Sequence, residues 1–338
     1  MLMAKIAING FGRIGRSTFK AGWGKPGFEV VAVNDLTSPA TLAHLLKYDT
    51  NYGTWGVSVK AGKDCLIVDG KKIPVCAQKD PAQLPWKALG VDVVIESTGF
   101  FRTAESAGLH IKAGAKRVII SAPAKEGGVP TYVLGVNSAN VKKEKAGVVN
   151  NASCTTNCAT PVLAMLQDAF GVKKAMMSTV HGYTADQNLV DGPHADLRRA
   201  RSAAENIVPT SSGAAEAVAA TIPPLAGKFD GFAIRVPVST VSLLDLTALL
   251  KKRVTAEEVN AALVKASKTP RWKGIVECTT EELVSKDFVG NTHSAIIDLG
   301  LTRVVDGDLV KVVAWYDNEW GYSNRLAELA LFLGKGTK

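Results

Sequence analysis

The chain has 338 residues, of which 46% are hydrophobic and 21% are charged, a composition typical of a folded globular protein rather than a disordered one. Its length favours two domains over one. The net charge is +9, which fits either nucleic acid or a small anionic ligand. The basic residues are scattered except for a local cluster at Arg198–Arg201. We therefore favour small phosphorylated ligands, with incidental RNA binding as the weaker alternative and no specific nucleic-acid partner.

Neither a membrane segment nor a metal site is expected. The longest apolar runs, 217–222 and 241–250, are too short or too polar to span a bilayer, and the chain starts without an apolar leader. The five cysteines, at positions 65, 76, 154, 158 and 278, are odd in number and lack the pairing of metal ligands. This pattern predicts a cytoplasmic protein in a reducing compartment.

Three glycines form a G-x-G-x-x-G motif directly after the first predicted strand: Gly10, Gly12 and Gly15. That strand covers 5–9, and a helical pattern follows from 16 to about 23. Glycines at these positions allow a tight turn, the close approach of a pyrophosphate and close packing of helix on strand. The pyrophosphate is expected at the helix N-terminus, on the N–H groups of Arg13 and Ile14.

A carboxylate ends the second predicted strand, which covers 28–34. Asp35 stands about 20 residues after Gly15, the distance at which an acid accepts hydrogen bonds from an adenosine ribose and repels a 2′-phosphate. Strand, glycine motif, helix, strand and acid together predict an NAD site. The alternative is a plain βαβ turn with an acid on the surface.

Further apolar, β-branched runs predict parallel strands covered on both faces, at 91–96, 117–121, 131–136 and 147–149. Residues 53–70 are predicted to form strands off this main sheet. Loop residues at the carboxyl ends of these strands, such as Ser121, are expected to face the cofactor. The alternative is that they are loop residues without a role in binding. Lys79 lies in a loop from which it can approach the adenine ribose, although a solvated lysine fits equally well.

A cysteine in polar company begins the second half of the chain. A helix is predicted over 154–170, with Pro161 tolerated only near its N-terminus. The free N–H groups and the dipole there favour a thiolate at Cys154. Ser153 and Thr155 offer groups for an anion or a developing oxyanion. A core cysteine is the alternative, but its polar neighbours argue against it.

Candidate partners for the thiol follow. His181 ends a predicted strand over 175–180 and is a candidate base for Cys154, although a structural histidine is the common alternative. A loop over 187–201 is expected to cover a site or an interface. Residues 209–215 place hydroxyls and a glycine before a short helix, which fits a phosphate cradle, a serine N-cap or both.

The remaining strands are longer than those of the first half. They are predicted at 231–237, 239–249, 294–299 and 310–315, with a helix over 256–267, and they indicate a mixed or antiparallel sheet. Arg235 interrupts an apolar strand and must face solvent or an anion. A last helix, over 323–332, is expected to pack on the first domain.

With these residues placed, the chain resembles phosphorylating, NAD-dependent glyceraldehyde-3-phosphate dehydrogenase over essentially its whole length. The resemblance is carried by residues 9–16, 153–158 and 315–319. It implies an α/β fold with a Rossmann-type dinucleotide-binding domain and an α+β catalytic domain. The expected NAD-binding domain is 1–153, completed by 319–338, and the expected catalytic domain is 154–318. It also implies a homotetramer that oxidises glyceraldehyde 3-phosphate with NAD and inorganic phosphate to an acyl phosphate in glycolysis.

The resemblance assigns Cys154 as the nucleophile and His181 as its activator. It places four residues near the incoming phosphate: Ser153, Thr155, Ser212 and Gly213. It places Thr184 and Arg235 near the substrate phosphate, and it gives Arg199, in the long loop, as a further anion contact. On the cofactor side it implies Arg13, Ile14, Asp35, Lys79, Ser121 and Asn318, the last beside the nicotinamide amide.

Three positions refine this reading. Ser212 stands where the family often has Thr, so the hydroxyl is kept and the methyl is lost. Leu36 and Pro193 match the members that use NAD, which predicts NAD preference. Two alternatives remain: an erythrose-4-phosphate dehydrogenase, and a non-enzymatic protein that binds RNA. Cys158 lies on roughly the same helix face as Cys154, either as a redox partner or as a small packed side chain.

Overall fold

The structure, a computed structural model, describes residues 3–125 and 128–334. The chain divides into two compact units. The first comprises the chain up to Tyr132, residues 138–152 and the chain from Ser323 onward; the second comprises 133–137 and 153–322. Of the predicted domain segments, residues 1, 2, 126, 127 and 335–338 lie outside the described residues.

The first unit is built on a largely parallel sheet. Its strands are β1 (Ala4–Asn9), β2 (Phe28–Asn34), β3 (Tyr48–Asp49), β4 (Gly53–Thr54), β5 (Val59–Ala61), β6 (Cys65–Val68), β7 (Lys71–Cys76), β8 (Val93–Glu96), β9 (Arg117–Ile120) and β10 (Val148–Asn150). Eight of them form one sheet in the order β10-β9-β8-β1-β2-β7-β6-β5, parallel from β10 to β7. Every residue of β8 is buried, as expected where helices cover both faces of a sheet. The predicted α/β class is confirmed.

Two local predictions in this part of the chain are wrong. Strands β5 and β6 do not lie off the main sheet, because β7 pairs with both β6 and β2 and so joins them to its edge. The prediction for 53–70 is right only for β4, which pairs with β3 in a separate sheet. The run 131–136 forms no strand beyond a bridge from Thr131 to Asn150. Its backbone turns at Gly135 (φ +79°), which ends the extended conformation.

The helices of the first unit are α1 (Arg13–Gly22), α2 (Pro39–Lys47), α3 (Trp86–Leu89) and α4 (Ala104–Lys112), joined by the part of α8 (Trp320–Gly334) that follows Tyr322. Helix α1 begins three residues before the predicted 16, directly at the glycine motif. Within this unit, Lys25 Nζ donates to Asn324 Oδ1 at 3.0 Å and ties α8 to the loop before β2.

The second unit carries a mixed sheet. Its strands are β11 (Val172–Gly182), β12 (Val208–Ser211), β13 (Phe229–Val236), β14 (Ser242–Leu250), β15 (Val276–Thr279), β16 (Ala295–Val305) and β17 (Leu309–Tyr316), in the order β12-β13-β11-β14-β17-β16-β15. Two pairs, β11 with β13 and β15 with β16, are parallel, and the rest are antiparallel. The predicted mixed sheet is therefore confirmed. Burial alternates along β14, so one face of the sheet packs on the core.

Three α-helices lie wholly in this unit: α5 (Cys154–Phe170), α6 (Ala214–Thr221) and α7 (Ala256–Ser267). Pro161 is the eighth residue of α5, so the expectation that it stands near the N-terminus is wrong. An interior proline costs about 3 kcal/mol, which burial offsets here, because Val162, Leu163 and Leu166 are fully buried around it. No helix among the described residues is long and apolar enough to cross a membrane.

Candidate active site

A pocket of ≈ 470 Å³ opens at the carboxyl ends of β1, β2 and β8 in the first unit. Parallel α/β sheets bind their ligands at this edge. Its lining includes Asn9, Gly10, Gly12, Asn34, Asp35, Leu36, Gln78, Lys79, Ser97, Thr98, Phe100 and Phe101. Four of the predicted cofactor residues, Gly10, Gly12, Asp35 and Lys79, therefore border one cavity.

The glycine motif has the geometry that a dinucleotide requires. Gly10 has φ +87°, and a Cβ there would stand 2.6 Å from the backbone nitrogen of Thr98, so only glycine fits this turn. A Cβ on Gly12 would meet no atom within 4 Å among the described residues, which leaves room for a ligand. Helix α1 starts at the next residue, and its first N–H groups can bind an anion.

The acid at the pocket edge is held by the backbone. Asp35 Oδ2 accepts from Phe11 N at 2.8 Å, and Asp35 Oδ1 accepts from Thr37 N at 3.0 Å. The guanidinium of Arg13 instead pairs with Asp49 at 2.7 Å, so Arg13 offers the pocket edge its backbone N–H rather than its charge. Ser121 follows β9 and donates its N–H to Glu96 O.

The predicted nucleophile and base meet in the second unit. Cys154 is the first residue of α5, and its Sγ lies 3.5 Å from Nε2 of His181, the residue 27 positions along the chain. Strand β11 returns antiparallel to β14 beneath α5 and brings His181 to this point near its carboxyl end. Cys158, by contrast, is fully buried in the hydrophobic core, which fits a packed side chain.

A cation lies beside the imidazole. Arg235 pairs with His181 in the register of β13 and β11, and Arg235 Nη1 lies 2.7 Å from His181 Nδ1. Burial and the charge of Arg235 lower the pKa of His181 to about 3. The imidazole is therefore neutral at pH 7. Gly182 O, which can only accept, lies 2.6 Å from His181 Nδ1, and Arg235 Nη1 donates to the same oxygen at 3.2 Å. Nδ1 thus carries the ring hydrogen, and Nε2 can accept a proton.

The thiolate expected from the helix N-terminus is not the resting form in this structure. Burial raises the pKa of Cys154 above its ordinary value, although Arg235, the N–H groups of Thr155 and Cys154 itself and the Thr155 hydroxyl all act to lower it. Desolvation of the charged form is the larger effect. The Cys154–His181 pair accordingly rests as a neutral thiol beside a neutral imidazole.

Hydroxyl groups fix the start of α5. Ser153 is its N-cap, and Ser153 Oγ accepts from Thr156 N at 3.0 Å. The hydroxyl of Thr155 lies 3.0 Å from that of Tyr316, which also lies 2.7 Å from Thr179 Oγ1. Tyr316 meets the His181 ring edge to face at 5.9 Å between centroids. Sequence reasoning missed this role of Tyr316; the only signal was a polar group ending the apolar strand 310–315.

One group of candidate anion-binding residues lies at the end of β12 and the start of α6. Arg199 Nε donates to Thr210 Oγ1 at 2.9 Å and Nη2 to Ser211 O at 3.3 Å, and Arg199 also pairs with Asp186. It thus lies against β12, directly before Ser212 and Gly213, and Gly213 is the N-cap of α6. No side chain caps that helix, so the alternative of a serine N-cap is wrong.

The turn after β11 contains a donor that sequence reasoning missed. Thr184 N donates to Gln187 Oε1 at 3.3 Å, and Gln187 N donates to Thr184 O at 2.9 Å. The side-chain nitrogen of Gln187 is buried without an acceptor among the described residues, and so is Arg235 Nε. Buried donors without partners are costly, so both fit a site that receives an anion.

Asn318 follows β17 in the second unit and is held by side chains. Its Oδ1 accepts from Ser242 Oγ at 3.1 Å, and Ser242 Oγ in turn accepts from Gly182 N at 3.2 Å. The preceding Asp317 accepts from Glu319 N, Trp320 N and Gly290 N and so shapes the turn into α8.

The first unit has a largely parallel sheet with the glycine-rich first turn of dinucleotide-binding proteins, and the second unit has a Cys–His pair. Both features in one chain are typical of NAD-linked dehydrogenases that react through a cysteine. Comparison with known families agrees. The model of the NAD binding domain of glyceraldehyde 3-phosphate dehydrogenase matches residues 4–104, and that of its C-terminal domain matches 153–318. The chain belongs to the glyceraldehyde 3-phosphate dehydrogenase family, and NAD is its cofactor.

Similar proteins cover nearly the whole chain. A glyceraldehyde-3-phosphate dehydrogenase of Bacillus cereus is 53% identical over 331 residues, 98% of each chain. One of Geobacillus stearothermophilus is 53% identical over 332 residues, again 98% of each chain. One of Borreliella burgdorferi is 50% identical over 337 residues, 98% of this chain and 100% of the relative.

Proposed function

We propose that the protein oxidises D-glyceraldehyde 3-phosphate to 1,3-bisphosphoglycerate, with NAD and inorganic phosphate, through an acyl group on Cys154. The observation that carries the proposal is the 3.5 Å approach of Cys154 Sγ to His181 Nε2 at the first residue of a helix. A nucleophile within reach of a base is the arrangement that covalent catalysis requires. Family membership supplies the substrate class.

The neutral pair sets the order of proton transfers. Cys154 Sγ attacks the aldehyde carbon while His181 Nε2 takes the thiol proton, and that proton then passes to the carbonyl oxygen to give a hemithioacetal. The N–H groups at the start of α5 stabilise the developing oxyanion. His181 takes the hydroxyl proton back as a hydride leaves the carbon, and a thioester remains on Cys154. When bound, NAD supplies the acceptor for that hydride.

A phosphate oxygen then attacks the thioester carbonyl, and the Cys154 thiolate leaves with release of an acyl phosphate. We assign Ser153, Thr155, Ser212 and Gly213 to this incoming phosphate, since hydroxyls and a helix N-terminus suit an anion. Arg199 is assigned as a further anion contact, and Thr184 and Arg235 are assigned to the phosphate of the substrate. The buried Nε of Arg235 supports this, because a phosphate oxygen would give it the acceptor that the described residues do not.

For NAD, we assign the pyrophosphate to the turn of Gly10, Gly12 and Gly15, with the N–H groups of Arg13 and Ile14. Asp35 takes the adenosine ribose, with Lys79 beside it, and Ser121 and Asn318 complete the set. The open space at Gly12 and the fixed carboxylate of Asp35 support these assignments. Leu36, exposed at the pocket lining, offers a 2′-phosphate no polar contact.

The assembly that we propose is a homotetramer. The long loop between β11 and β12 exposes several large apolar side chains: Leu189 (69%), Val190 (72%), Leu197 (81%) and Ile207 (71%). Apolar groups clustered in this way indicate a surface that another protein covers. Light scattering should give four times the chain mass of 35.7 kDa, and Leu197→Asp should lower it; a wild-type monomer would contradict the assembly.

Two further assignments complete the proposal. We place the protein in the cytoplasm, supported by five cysteines that are all free thiols, which cell fractionation tests. We also assign 1–153 with 319–338 as the NAD-binding domain and 154–318 as the catalytic domain. Nucleotide binding by a separately expressed first segment tests that division.

The direct test follows NADH absorbance with D-glyceraldehyde 3-phosphate, with and without inorganic phosphate. We expect steady turnover only when phosphate is present, because the thioester needs it as the second nucleophile. Erythrose 4-phosphate is the matched comparison. A higher kcat/KM with that aldehyde, or a rate that ignores phosphate, would contradict the proposed substrate or the proposed second step.

A further inference from the structure

A buried carboxylate lies behind the dinucleotide pocket, and none of the steps above uses it. Glu96 ends β8 with only 2% of its surface exposed. Its Oε1 accepts from Thr98 N at 2.8 Å and from Thr98 Oγ1 at 2.5 Å. Its Oε2 accepts from Asn9 Nδ2 at 2.5 Å and lies 3.0 Å from His110 Nε2. Four donors around one carboxylate compensate it for its lost hydration.

The direction of the bond from His110 is fixed by a third residue. Trp86 Nε1 lies 2.9 Å from His110 Nδ1, and an indole nitrogen can only donate. Nδ1 is therefore the acceptor of the neutral ring, and Nε2 carries the hydrogen that points at Glu96. His110 is fully buried, so no water competes for either nitrogen.

The carboxylate in turn fixes two amides. Because Glu96 only accepts, the amide nitrogen of Asn9 must face it, and Asn9 Oδ1 faces the other way, where Asn34 Nδ2 donates to it at 2.6 Å. Asn34 then uses both ends of its amide on one residue. Its Nδ2 donates to Gln78 O at 2.9 Å, and its Oδ1 accepts from Gln78 N at 2.9 Å.

This chain of bonds ends in the segment after β7, a strand that pairs with β6 along Lys71–Pro74 and accepts from Asp35 N at Cys76 O, at 3.1 Å. Strand β7 pairs with β2 only at Val75 and Cys76, and both Gln78 and Lys79 are exposed beyond it. Yet both residues line the dinucleotide pocket. Within the described structure, the two bonds from Asn34 tie the backbone of Gln78 to the sheet, and the Asn34 amide has the orientation that both Gln78 and the Glu96–Asn9 bond require.

We propose that Glu96, oriented by His110, is a positioning residue that holds Gln78 and Lys79 as a fixed wall of the NAD pocket. The inference rests on the proposed NAD site. Replacing the carboxylate of Glu96 by an amide would turn one of its two acceptor oxygens into an NH₂ donor. Depending on the orientation of the amide, that NH₂ would face either the pair Asn9 and His110 or Thr98. If the donor faced Asn9, Asn9 would have to reverse, its NH₂ would meet that of Asn34, and the hold on Gln78 would loosen. If it faced Thr98, the N–H of Thr98, which also lines the pocket, would lose its acceptor.

The test is Glu96→Gln. We expect the Kd of NAD and of ADP-ribose, measured by calorimetry, to rise about 10-fold, the effect of one lost charge-assisted hydrogen bond. kcat at saturating NAD should stay within about twofold of wild type. In the unliganded protein, hydrogen exchange of the Gln78 amide should accelerate by a similar factor.

Asp92→Asn is the matched control, since it removes a carboxylate that directly precedes β8, the strand that Glu96 ends. Asp92 accepts from Lys5 N at 2.9 Å and pairs with Lys116 at 2.8 Å, and none of these residues lines the pocket. We expect it to lower Tm while the Kd and Gln78 exchange stay as in wild type. An equal rise in Kd in this control would overturn the proposal, because the effect would then be general destabilisation.

A second variant tests the polarity itself. Asn9→Asp combined with Glu96→Gln again places an acceptor opposite a donor, and the carboxylate introduced at position 9 still accepts from Asn34. The double variant should recover part of the affinity that Glu96→Gln loses; no recovery, or an unchanged Kd in Glu96→Gln, would overturn the proposal.

Should Glu96→Gln not fold, wild-type protein decides the matter. Its Gln78 amide must exchange more slowly than an unprotected amide, and free exchange would overturn the proposal. These readouts need no aldehyde substrate. If the protein bound ADP-ribose but failed to oxidise glyceraldehyde 3-phosphate, the proposed function would fail while this inference was still tested.

Discussion

The dinucleotide pocket and the reaction centre treat buried polar groups in opposite ways. Behind the dinucleotide pocket, the buried carboxylate of Glu96 has four donors and each neighbouring amide has its orientation fixed. Around Cys154 and His181, Arg235 and Gln187 keep buried nitrogens without an acceptor among the described residues. The network behind the dinucleotide pocket is thus preorganised before any ligand binds, whereas the reaction centre contains donors that only a ligand would satisfy.

The difference matches what each region has to do. A cofactor pocket must bind the same molecule repeatedly, and a fixed wall lowers the entropy cost of binding. A reaction centre must bind anions that arrive and leave, and donors that are satisfied only by a ligand favour the bound state. At the cofactor pocket, the buried polar groups are hydrogen-bonded to one another and hold the pocket in its binding shape. At the reaction centre, the buried donors without acceptors indicate where the substrate anion is expected to bind.

Cys154→Ser gives the largest effect and separates the two regions completely. A serine hydroxyl is a far weaker nucleophile, so turnover with glyceraldehyde 3-phosphate should fall ~10⁴-fold or more. The Kd of NAD should stay close to wild type, because the residues assigned to its pyrophosphate and adenosine ribose lie in the first unit. Cys158→Ser, in the buried core of the same helix, is the control and should keep substantial activity. Substantial dehydrogenase activity in Cys154→Ser would refute the nucleophile.

His181→Asn removes the base and should lower kcat by about 10²- to 10⁴-fold. It should also change how stability depends on pH. Burial and Arg235 lower the pKa of His181 to about 3 in the folded state, against an ordinary value of 6.5. Between these values the unfolded chain binds the extra proton, so this contribution to stability is complete above pH 6.5 and is lost progressively as pH falls toward 3.

Calorimetric Tm values from pH 4 to 8 check this sign. Wild type should lose stability more steeply on acidification than His181→Asn, by a slope of about one proton. His44→Asn, at an exposed position on α2, is the control for loss of a histidine as such. Identical slopes in wild type and His181→Asn would show that the imidazole is not held neutral by its surroundings.

Arg235→Gln tests the buried donors of the reaction centre that have no acceptor among the described residues. A phosphate that loses a charged partner should bind more weakly by about 1.5–3 kcal/mol, which appears as a 10- to 100-fold lower kcat/KM for glyceraldehyde 3-phosphate. Arg253→Gln, in an exposed pair with Asp306, is the control and should change little. The substrate-phosphate assignment fails if KM for the aldehyde is unchanged in Arg235→Gln.

The sequence predicts best what local spacing determines. The strand–glycine–helix motif needs only a few adjacent residues to specify a turn, and the helix predicted over 154–170 forms over that span because apolar spacing and the Ser153 cap agree. The sequence predicts β5 and β6 outside the main sheet, whereas the structure places them in it. Whether a strand joins a sheet depends on a partner distant in the chain, here the pairing of β7 with β2.

The chemistry of the site was less predictable for the same reason. The helix dipole argued for a thiolate at Cys154, but desolvation by residues far apart in the chain raises its pKa instead. Tyr316 bridges Thr155 and Thr179 across 161 and 137 positions. No spacing rule connects such residues, so their roles emerge only once the sheet is assembled.

The smallest expected effect concerns cofactor choice in the first unit. Asp35→Ala with Leu36→Thr removes a charge that repels a 2′-phosphate and adds a hydroxyl at the exposed edge of the pocket. Because the site is solvent-exposed and the repulsion screened, the preference for NAD over NADP in kcat/KM should fall by about 10-fold rather than reverse. Asp35 also accepts from Phe11 N and Thr37 N, so NAD binding should weaken together with the gain for NADP. Asp35→Asn is the matched variant, since it removes the charge and keeps one acceptor. A preference unchanged in both variants would mean that Asp35 shapes the turn without discriminating between the two cofactors.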